Sequence, residues 1–441
     1  MPSTLIRNAT ILTMNERVEV VTGAVSVRDG TIASIGLEPA APHDVVINAG
    51  GQYLLPGFIQ THIHLCQTLF RGYADDLPLL QWLRTRIWPM EAAHTPASLR
   101  AAADLACLEL LRSGTTTVLT METVYDTDAV FDAVTATGIR AVIGKCMMDA
   151  ATDDIPQRLR EQTRRSIDEA VALHGHYDNS ANGRIRAAFA PRFAVSCSRE
   201  LLEAVAALSD RHRALVHTHA SEQRDEVALI RRQTGVANIE YLQQAGLTTP
   251  RLNVAHCVQV DEHEQEILAS EDVKIAHCPG SNLKLGSGIA PVTELLGRGA
   301  CVSLGADGAA CNNSLDMFHE MRLAAMLQTL RHRPGILPAV QVLRMATCNG
   351  ARALGVDHLV GSIEVGKRAD LILIDAAAPH LAPAPDPVSA IVYAARPTDV
   401  TLTMVDGEVL VRNQEAARLD AGEIAARASA EARALARRAG L

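Results

Sequence analysis

The chain has 441 residues and a formal net charge of −9, and 48% of its residues are hydrophobic although only 3% are aromatic. This length exceeds a single small core, so we expect one large domain and a smaller companion, with an aliphatic core suited to parallel strands covered by helices. The acid excess argues against nucleic acid and membrane surfaces as partners, because neutralising phosphates requires clustered lysine and arginine.

The first fifty residues have the pattern of short β-strands. Asp29-Gly30 is a turn signal between two alternating stretches and predicts a hairpin. The same residues lack the basic start and apolar run of a signal peptide, and no later apolar run could span a bilayer, so we expect a soluble, cytoplasmic protein. β-type segments return near residue 360. We therefore predict a small β-sandwich domain with a C-terminal helix, built from residues 1–55 and 360–441.

Between these ends, apolar strand-like runs alternate with segments of helical period, the pattern of repeated strand–helix units. Eight such runs begin at Phe58, Thr115, Arg140, Ile185, Ala214, Leu252, Val273 and Cys301. Eight units in about 300 residues fit a (β/α)₈ TIM barrel better than an open sheet. The prediction is an α/β protein with this barrel over residues 56–359. We interpret the Ala-rich segment near residue 430 as a solvated closing helix without a role in chemistry.

Two histidines one residue apart, His62 and His64, end the first barrel strand. Alternate residues of a strand share a face, so both side chains point into the barrel at the end where barrel active sites lie. Taken alone, such a pair is better explained by hydrogen-bonded core residues than by a metal site. Other barrel strands, however, end in the same residue types, namely His217, His219 and Glu222 on strand five, His256 on strand six and Asp307 on strand eight.

Three neutral imidazoles and one carboxylate around an open position describe a catalytic site for zinc or ferrous iron. We predict that the ligands are His62, His64, His219 and Asp307. The nine cysteines are scattered and form no CxxC pair, which fits reduced thiols better than a thiolate zinc site or a disulfide framework.

Several longer motifs are distributed over nearly the whole chain: PGFIQTHIHL, HTHASE, AHC, HCPGSNLKLGSGIAPV, LGADGAACNNSLDMF and GSIEVGKRADLILID. Together they resemble the amidohydrolase superfamily, in its mononuclear branch of adenosine-type, guanine and triazine aminohydrolases. No lysine occupies the bridging position of a binuclear site, so the resemblance implies one divalent metal, zinc by preference and iron as the alternative. It also implies a homo-oligomer of two or four copies.

The same resemblance implies catalytic roles for three residues. Glu222 would carry a proton between a water molecule and the ring nitrogen beside the attacked carbon. His256 would hydrogen-bond the water and the developing alkoxide, and Asp307 would both bind the metal and accept a proton. His217 is expected to lie behind the ligands rather than to be one. A helix-start carboxylate is the simpler explanation of Glu222 taken alone.

The segment RGYADDLPLLQWLRTRIWPME resembles the methylthioadenosine, S-adenosylhomocysteine and 5'-deoxyadenosine deaminases. This resemblance implies that Glu91 binds the ribose hydroxyls, although Glu91 could also simply begin a helix. It implies hydrolytic deamination of the adenine ring of a small nucleoside, with release of ammonia, in purine salvage. 5'-Deoxyadenosine and methylthioadenosine are the expected substrates, with S-adenosylhomocysteine a poorer third.

Some residues depart from this pattern. Arg192 and Gln67 resemble guanine deaminase, and Gln67 also some triazine hydrolases, so guanine deamination or s-triazine amino- or chlorohydrolysis is the alternative. Lys145 stands near the place where homocysteine-accepting relatives carry an arginine, and it lacks the forked geometry of that residue. Weaker candidates for substrate contacts are Trp88 and His277, for which packing is an equal or better explanation. A barrel without catalysis, serving as a binding module, is disfavoured by the full set of ligands and proton carriers.

Overall fold

The computed structural model describes residues 2–150 and 155–441. The strands of the first half are β1 (Thr4–Leu12), β2 (Val20–Arg28), β3 (Thr31–Gly36), β4 (Val45–Asn48), β5 (Tyr53–Pro56), β6 (Phe58–His64), β7 (Thr115–Met121), β8 (Arg140–Met147) and β9 (Ile185–Pro191). Those that follow are β10 (Val216–Ala220), β11 (Leu252–His256), β12 (Lys274–His277), β13 (Cys301–Leu304), β14 (Asp307–Gly308), β15 (Leu371–Ile374), β16 (Val400–Val405), β17 (Glu408–Arg412) and β18 (Glu415–Ala416). They form two sheets of nine strands each.

Helices cover the barrel sheet and close the chain. The first are α1 (Leu79–Trp82), α2 (Trp88–Ala92), α3 (Pro96–Arg112), α4 (Asp128–Thr137), α5 (Thr163–Tyr177), α6 (Ser180–Gly183), α7 (Arg199–His212), α8 (Arg224–Thr234) and α9 (Asn238–Gln244). The others are α10 (Glu262–Ser270), α11 (Pro279–Lys284), α12 (Val292–Gly297), α13 (Met317–Arg331), α14 (Ala339–Met345), α15 (Cys348–Ala353), α16 (Pro387–Tyr393) and α17 (Ala421–Ala439). Within the described ranges, none of these helices is both long and apolar enough to cross a bilayer.

The barrel sheet runs in the order β13-β12-β11-β10-β9-β8-β7-β6-β14, with parallel pairing throughout. β13 and β14 are two parts of one strand, separated by Gly305 and Ala306, and β14 pairs with β6, so the sheet closes on itself. The predicted (β/α)₈ barrel and its eight strands are confirmed. Gly305 permits the closure, because a Cβ atom there would lie 2.5 Å from the carbonyl oxygen of His62.

Local sequence explains how the helices begin and end. Thr95 caps α3 by accepting a hydrogen bond from the amide of Ser98, and Pro96 occupies the first turn, where its missing N–H costs nothing. The helix ends at Gly114, whose φ of 85° is accessible to glycine without strain. This start and stop agree with the sequence signals, and they return the chain directly into β7.

The second sheet runs in the order β18-β17-β16-β15-β5-β1-β2-β3, with β4 paired to β1, so it draws strands from both ends of the chain. Val27 of β2 and Leu402 of β16 belong to one hydrophobic cluster although several strands separate them. A Cβ atom on Gly407 would lie 2.7 Å from Cα of Gly30, so the two turns also touch. The sheet therefore folds over itself as the predicted β-sandwich. The division at residues 55/56 and 359/360 stays a prediction.

The closing helix α17 has one exposed face, as expected, but its other face is packed. Ala428 and Leu435 are buried in one hydrophobic cluster with Trp82 and Trp88, which precede and begin α2. Arg438 donates a hydrogen bond of 2.9 Å to the carbonyl of Ala93, at the end of α2. Thus α17 supports the segment that follows the first barrel strand, a contact that the Ala-rich sequence did not reveal.

Candidate active site

A cavity of about 420 Å³ opens at the carboxyl ends of the barrel strands. Its inner wall is polar and includes His64, His219, Glu222, His256 and Asp307. Its outer wall is apolar and is made by Leu79, Trp82, Leu83, Phe193 and Leu285. Residues that are distant in the chain, and that the sequence predicted as ligands and proton carriers, therefore meet around one space.

His64 and His219 face each other in a way that calls for a cation. Nδ1 of His64 lies 2.8 Å from the carbonyl of Met121, and Nδ1 of His219 lies 2.6 Å from the carbonyl of Arg192. A carbonyl oxygen only accepts, so each imidazole carries its proton on Nδ1. Burial lowers the pKa of both rings, which keeps them neutral. The two Nε2 lone pairs then face each other at 3.2 Å, an arrangement that a metal ion between them would stabilise.

His62 and Asp307 complete this group. Nε2 of His62 makes no hydrogen bond within residues 2–150 and 155–441, although it lies 3.2 Å from Oδ1 of Asp307, and Nε2 of His64 lies 3.3 Å from the same oxygen. Burial lowers the pKa of His62 to about 4. Burial alone would raise the pKa of Asp307, but the adjoining imidazoles hold it well below its usual range, so the carboxylate is ionised as a ligand must be.

The spacing of these donor atoms suits a small divalent cation. A tetrahedral site with metal–ligand bonds of about 2.0–2.1 Å has ligand–ligand edges of about 3.3 Å. Three of the distances above, 3.2 Å between the imidazoles of His64 and His219 and 3.2 and 3.3 Å to Asp307, match that edge. The donor types and these three distances fit zinc or ferrous iron. Ligand atoms of His62, His64 and His219 lie within 4.8 Å of one another, and those of His62, His256 and Asp307 form a second such group.

His256 and Glu222 lie beside the four predicted ligands. Nδ1 of His256 is 2.9 Å from Oδ1 of Asn282, and its Nε2 is 3.7 Å from Glu222 and 3.9 Å from Asp307. Burial alone would lower the pKa of His256, but these carboxylates raise it, so the ring is suited to donate through Nε2. Burial raises the pKa of Glu222 to about 7, which suits a group that takes up and returns a proton near neutral pH.

Four residues at these strand ends have a left-handed backbone. Ser221, His256, Cys257 and Asp307 have φ angles of 54°, 75°, 47° and 62°, in the left-handed region that side chains other than glycine rarely adopt. His256 and Asp307 are predicted site residues, and the other two directly adjoin predicted site residues. Such strain persists where surrounding structure enforces it, and it is common where side chains are held for function.

One side wall of the cavity is built on a buried ion pair. Arg192 makes two hydrogen bonds to the Glu91 carboxylate, of 2.5 and 3.1 Å, and Nε2 of Gln67 donates to the same carboxylate at 3.0 Å. Because a carboxylate only accepts, it fixes the amide of Gln67 with its oxygen turned away. That oxygen is buried and has no hydrogen-bond partner in the part of the chain that the structure describes. Gln67 and Arg192 line the cavity, whereas Glu91 lies behind them.

With this geometry established, the comparison with known families is direct. The model of the amidohydrolase family matches residues 53–410, which include the barrel and strands β5, β15 and β16 of the second sheet. The chain belongs to the amidohydrolase family.

Several relatives of this amidohydrolase are named as deaminases of adenine nucleosides. It is 45% identical over 397 residues to the 5'-deoxyadenosine deaminase of Methanothermobacter thermautotrophicus, covering 89% of this chain and 90% of that one. It is 40% identical to the 5-methylthioadenosine/S-adenosylhomocysteine deaminase of Pelotomaculum thermopropionicum, covering 98% of both chains. Among solved structures, an adenosine deaminase from Xanthomonas campestris with bound zinc has a TM-score of 0.90, 33% identity and 98% coverage of both chains.

The remaining predicted substrate contacts lie outside the amidohydrolase cavity. Nζ of Lys145 is buried against Glu161 at 2.6 Å, so the geometry gives no support to a contact between this lysine and a substrate carboxylate. Trp88 packs in the hydrophobic cluster, and Trp82 is the tryptophan that lines the cavity. His277 is fully buried near His256, and neither of its ring nitrogens has a hydrogen-bond partner among the described residues.

Replacing Lys145 by methionine is expected to lower the free energy of unfolding by about 3 kcal/mol, because Glu161 would be left as an unpaired buried charge. The KM for nucleosides should stay unchanged. Urea denaturation and steady-state kinetics measure the two effects. The double variant Lys145→Met with Glu161→Gln is the control and should recover part of the lost stability. A raised KM for S-adenosylhomocysteine at unchanged stability would instead restore the predicted substrate contact.

Sequence reasoning did not single out three residues that hold the site. Ser281 donates a hydrogen bond of 2.6 Å to Oδ2 of Asp307, and Asn282 orients His256. Glu122, at the end of β7, accepts the amide protons of Leu65 and Cys66 at 3.2 and 2.9 Å and so fixes the turn after His64. The strand-end position of Glu122 and the SN pair in HCPGSN were the available signals.

Proposed function

We propose that this amidohydrolase catalyses hydrolytic deamination of the adenine ring of a small nucleoside, releasing ammonia. The observation that carries the proposal is the convergence of four ligand-type side chains with Glu222 and His256 around one cavity. Similarity to a 5'-deoxyadenosine deaminase and to a 5-methylthioadenosine/S-adenosylhomocysteine deaminase supports the choice of ring, and the first of these also supports a short 5' substituent. The apolar outer wall suits a methyl or methylthio group better than the charged end of S-adenosylhomocysteine.

The proposed metal ligands are His62, His64, His219 and Asp307, and zinc is the proposed metal, with iron as the alternative. When bound, the metal acidifies a water molecule so that hydroxide forms near neutral pH. Zinc in the structure of the Xanthomonas campestris relative supports this choice. The orphaned Nε2 of His62 and the opposed lone pairs of the other two imidazoles support a cation at this place.

The proposed roles of the proton carriers follow from their positions. Glu222, with its pKa raised to about 7, takes a proton from the attacking water and delivers it to the ring nitrogen, which makes the neighbouring carbon electrophilic. His256 donates through Nε2 to the oxygen as negative charge develops there. Asp307 accepts the second proton, which then leaves with ammonia.

A second candidate, deamination of guanine or hydrolysis of an s-triazine, is favoured by one observation. The carboxylate of Glu91, predicted to bind ribose, is occupied by Arg192 and Gln67, and these two residues face the cavity in its place. The guanidinium donors of Arg192 and the amide oxygen of Gln67 could hydrogen-bond the polar edge of a heterocycle that carries no sugar. The second candidate uses the same metal site and the same proton carriers.

A kinetic panel separates the two candidates. We expect kcat/KM for 5'-deoxyadenosine and methylthioadenosine to exceed that for guanine and a chlorotriazine by at least about 100-fold, with S-adenosylhomocysteine and adenosine between them. Formation of the inosine-type product is followed by ultraviolet absorbance, and ammonia by a coupled assay. Faster turnover of guanine or the triazine would reverse the assignment.

The variant Glu91→Gln refines this test, because an amide can still accept from Arg192 but loses the charge that strengthens bonds to hydroxyls. If Glu91 binds ribose, kcat/KM for nucleosides should fall by about 10-fold or more, while deamination of a 2',3'-dideoxynucleoside should hardly change. Equal losses for both substrates would assign Glu91 to the support of Arg192 and Gln67 alone.

A cytoplasmic location, a place in purine salvage and assembly into a dimer or tetramer belong to this proposal as well. The pathway and the assembly rest on the family resemblance, and the net charge of −9 supports the absence of nucleic-acid and membrane partners. The two-domain division at residues 55/56 and 359/360 is likewise a proposal, which the strand membership of the two sheets supports.

A further inference from the structure

His217 lies on β10, two residues before His219, and is fully buried. Its Nε2 is 2.7 Å from Nδ1 of His62, the shortest contact made by the His62 ring. The two rings have centroids 4.9 Å apart and are tilted by 47°. His217 does not line the cavity, and it touches the predicted ligands through its hydrogen bond with His62.

The hydrogen-bond partner of His62 differs in chemical type from the partners of the other two proposed histidine ligands. His64 and His219 hydrogen-bond backbone carbonyls, which only accept and therefore fix the proton on Nδ1. The partner of His62 is an imidazole nitrogen, which accepts in one tautomer and donates in the other. The tautomer of His62 is therefore set by the position of the proton on His217.

The two tautomers have opposite consequences. If His217 donates, the proton of His62 lies on Nε2, 3.2 Å from Oδ1 of Asp307 and directed to the place where a metal would bind. If His217 accepts, the proton of His62 lies on Nδ1, and the lone pair of Nε2 is free. Nε2 of His62 has no hydrogen-bond partner among the residues that the structure describes, which agrees with the second state.

We propose that His217 is a positioning residue, which accepts a hydrogen bond from Nδ1–H of His62 and so holds its Nε2 unprotonated toward the metal. The inference rests on the proposed metal site. It assigns to a neutral imidazole the function that a carboxylate or a carbonyl commonly serves behind a metal-bound histidine. An imidazole keeps the inner barrel free of a further buried charge, which would be costly there.

Three substitutions test the acceptor role. Glutamine places an amide oxygen where Nε2 of histidine lies, asparagine is one methylene too short, and leucine fills the space without an acceptor. Zinc affinity of the metal-free protein is measured by competition with a chromophoric chelator. We expect His217→Asn and His217→Leu to weaken zinc binding by about 10- to 100-fold and His217→Gln to retain most of it. The absorption spectrum of the cobalt-substituted protein should change in the same order.

His174→Gln is the matched control, because His174 is a largely buried histidine on α5 that stacks on Phe189, outside the metal site. Its zinc affinity should equal that of the wild type. Wild-type affinity in His217→Asn and His217→Leu, or an equal loss in all three His217 variants, would overturn the proposal. Should His217→Leu not fold, the comparison of glutamine with asparagine decides. A wild-type protein that binds no zinc would instead overturn the metal site itself.

Discussion

Replacing Glu222 by glutamine is expected to lower kcat by about 10²- to 10⁴-fold without changing the zinc content of the protein. The amide preserves the size of the side chain and can still accept from Ser287, which lies 3.3 Å from Oε1. It cannot take a proton from water, so the transfer to the ring nitrogen is lost. Steady-state kinetics with 5'-deoxyadenosine and metal analysis of the same samples measure the two quantities.

The pH dependence of the wild type should report the same residue. Burial raises the pKa of Glu222 to about 7, and a bound cation would lower it from there. The base must be ionised to accept a proton, so kcat/KM should fall as the pH drops through this pKa. The acidic limb should be missing in Glu222→Gln.

Glu320→Gln is a matched control for this substitution. Glu320 is a buried carboxyl on α13, outside the cavity, and burial raises its pKa to about 8. Its replacement should leave kcat close to that of the wild type. Substantial activity in Glu222→Gln, or an unchanged acidic limb in that variant, would remove Glu222 from the proposed mechanism.

Replacing Asp307 by asparagine should lower kcat by at least about 10³-fold and should also weaken metal binding, because a ligand and a proton acceptor are lost together. The same change removes the negative charge of the carboxylate that accepts a hydrogen bond from Ser281 and lies near His256. Zinc content after dialysis and kcat in excess zinc distinguish the two effects. Excess zinc should restore occupancy but not activity.

Asp316→Asn controls for a loss of negative charge in the same region. Asp316 caps α13 by accepting from the amide of Phe318 at 2.8 Å, and asparagine caps a helix about equally well. This variant should keep both metal and activity. If Asp307→Asn regained full activity in excess zinc, Asp307 would be a ligand with no share in proton transfer.

Much of the architecture could be predicted because its signals are local. The barrel strands are short apolar runs, and a side-chain period of two places His62 and His64 on one face without knowledge of the fold. Barrel geometry then brings the ends of separate strands together, so His219 and Asp307 could be assigned to the same site. The sandwich could be predicted because turn residues such as Asp29 and Gly30 mark its hairpin.

The side wall of the cavity that contains Arg192 and Gln67 could not be predicted in the same way, because its contacts join residues that are distant in the chain. Arg192 and Glu91 are 101 positions apart, and no local pattern indicates that they pair. Lys145 pairs with Glu161 on the helix-facing side of its strand. Both faces of this strand are buried, so the sequence pattern does not show which face Lys145 is on. Resemblance assigned these residues to substrate contacts, whereas their partners are set by long-range packing.

The contact between α17 and the segment around α2 has a consequence for protein engineering. Leu435 and Arg438 help to hold the short helix that carries Glu91, yet neither comes near the cavity. We therefore expect fusion tags, trimming or surface redesign at the last helix to disturb the position of α2 and, through it, substrate preference. Directed-evolution libraries aimed at specificity gain a remote set of positions there, and those positions leave the metal ligands untouched.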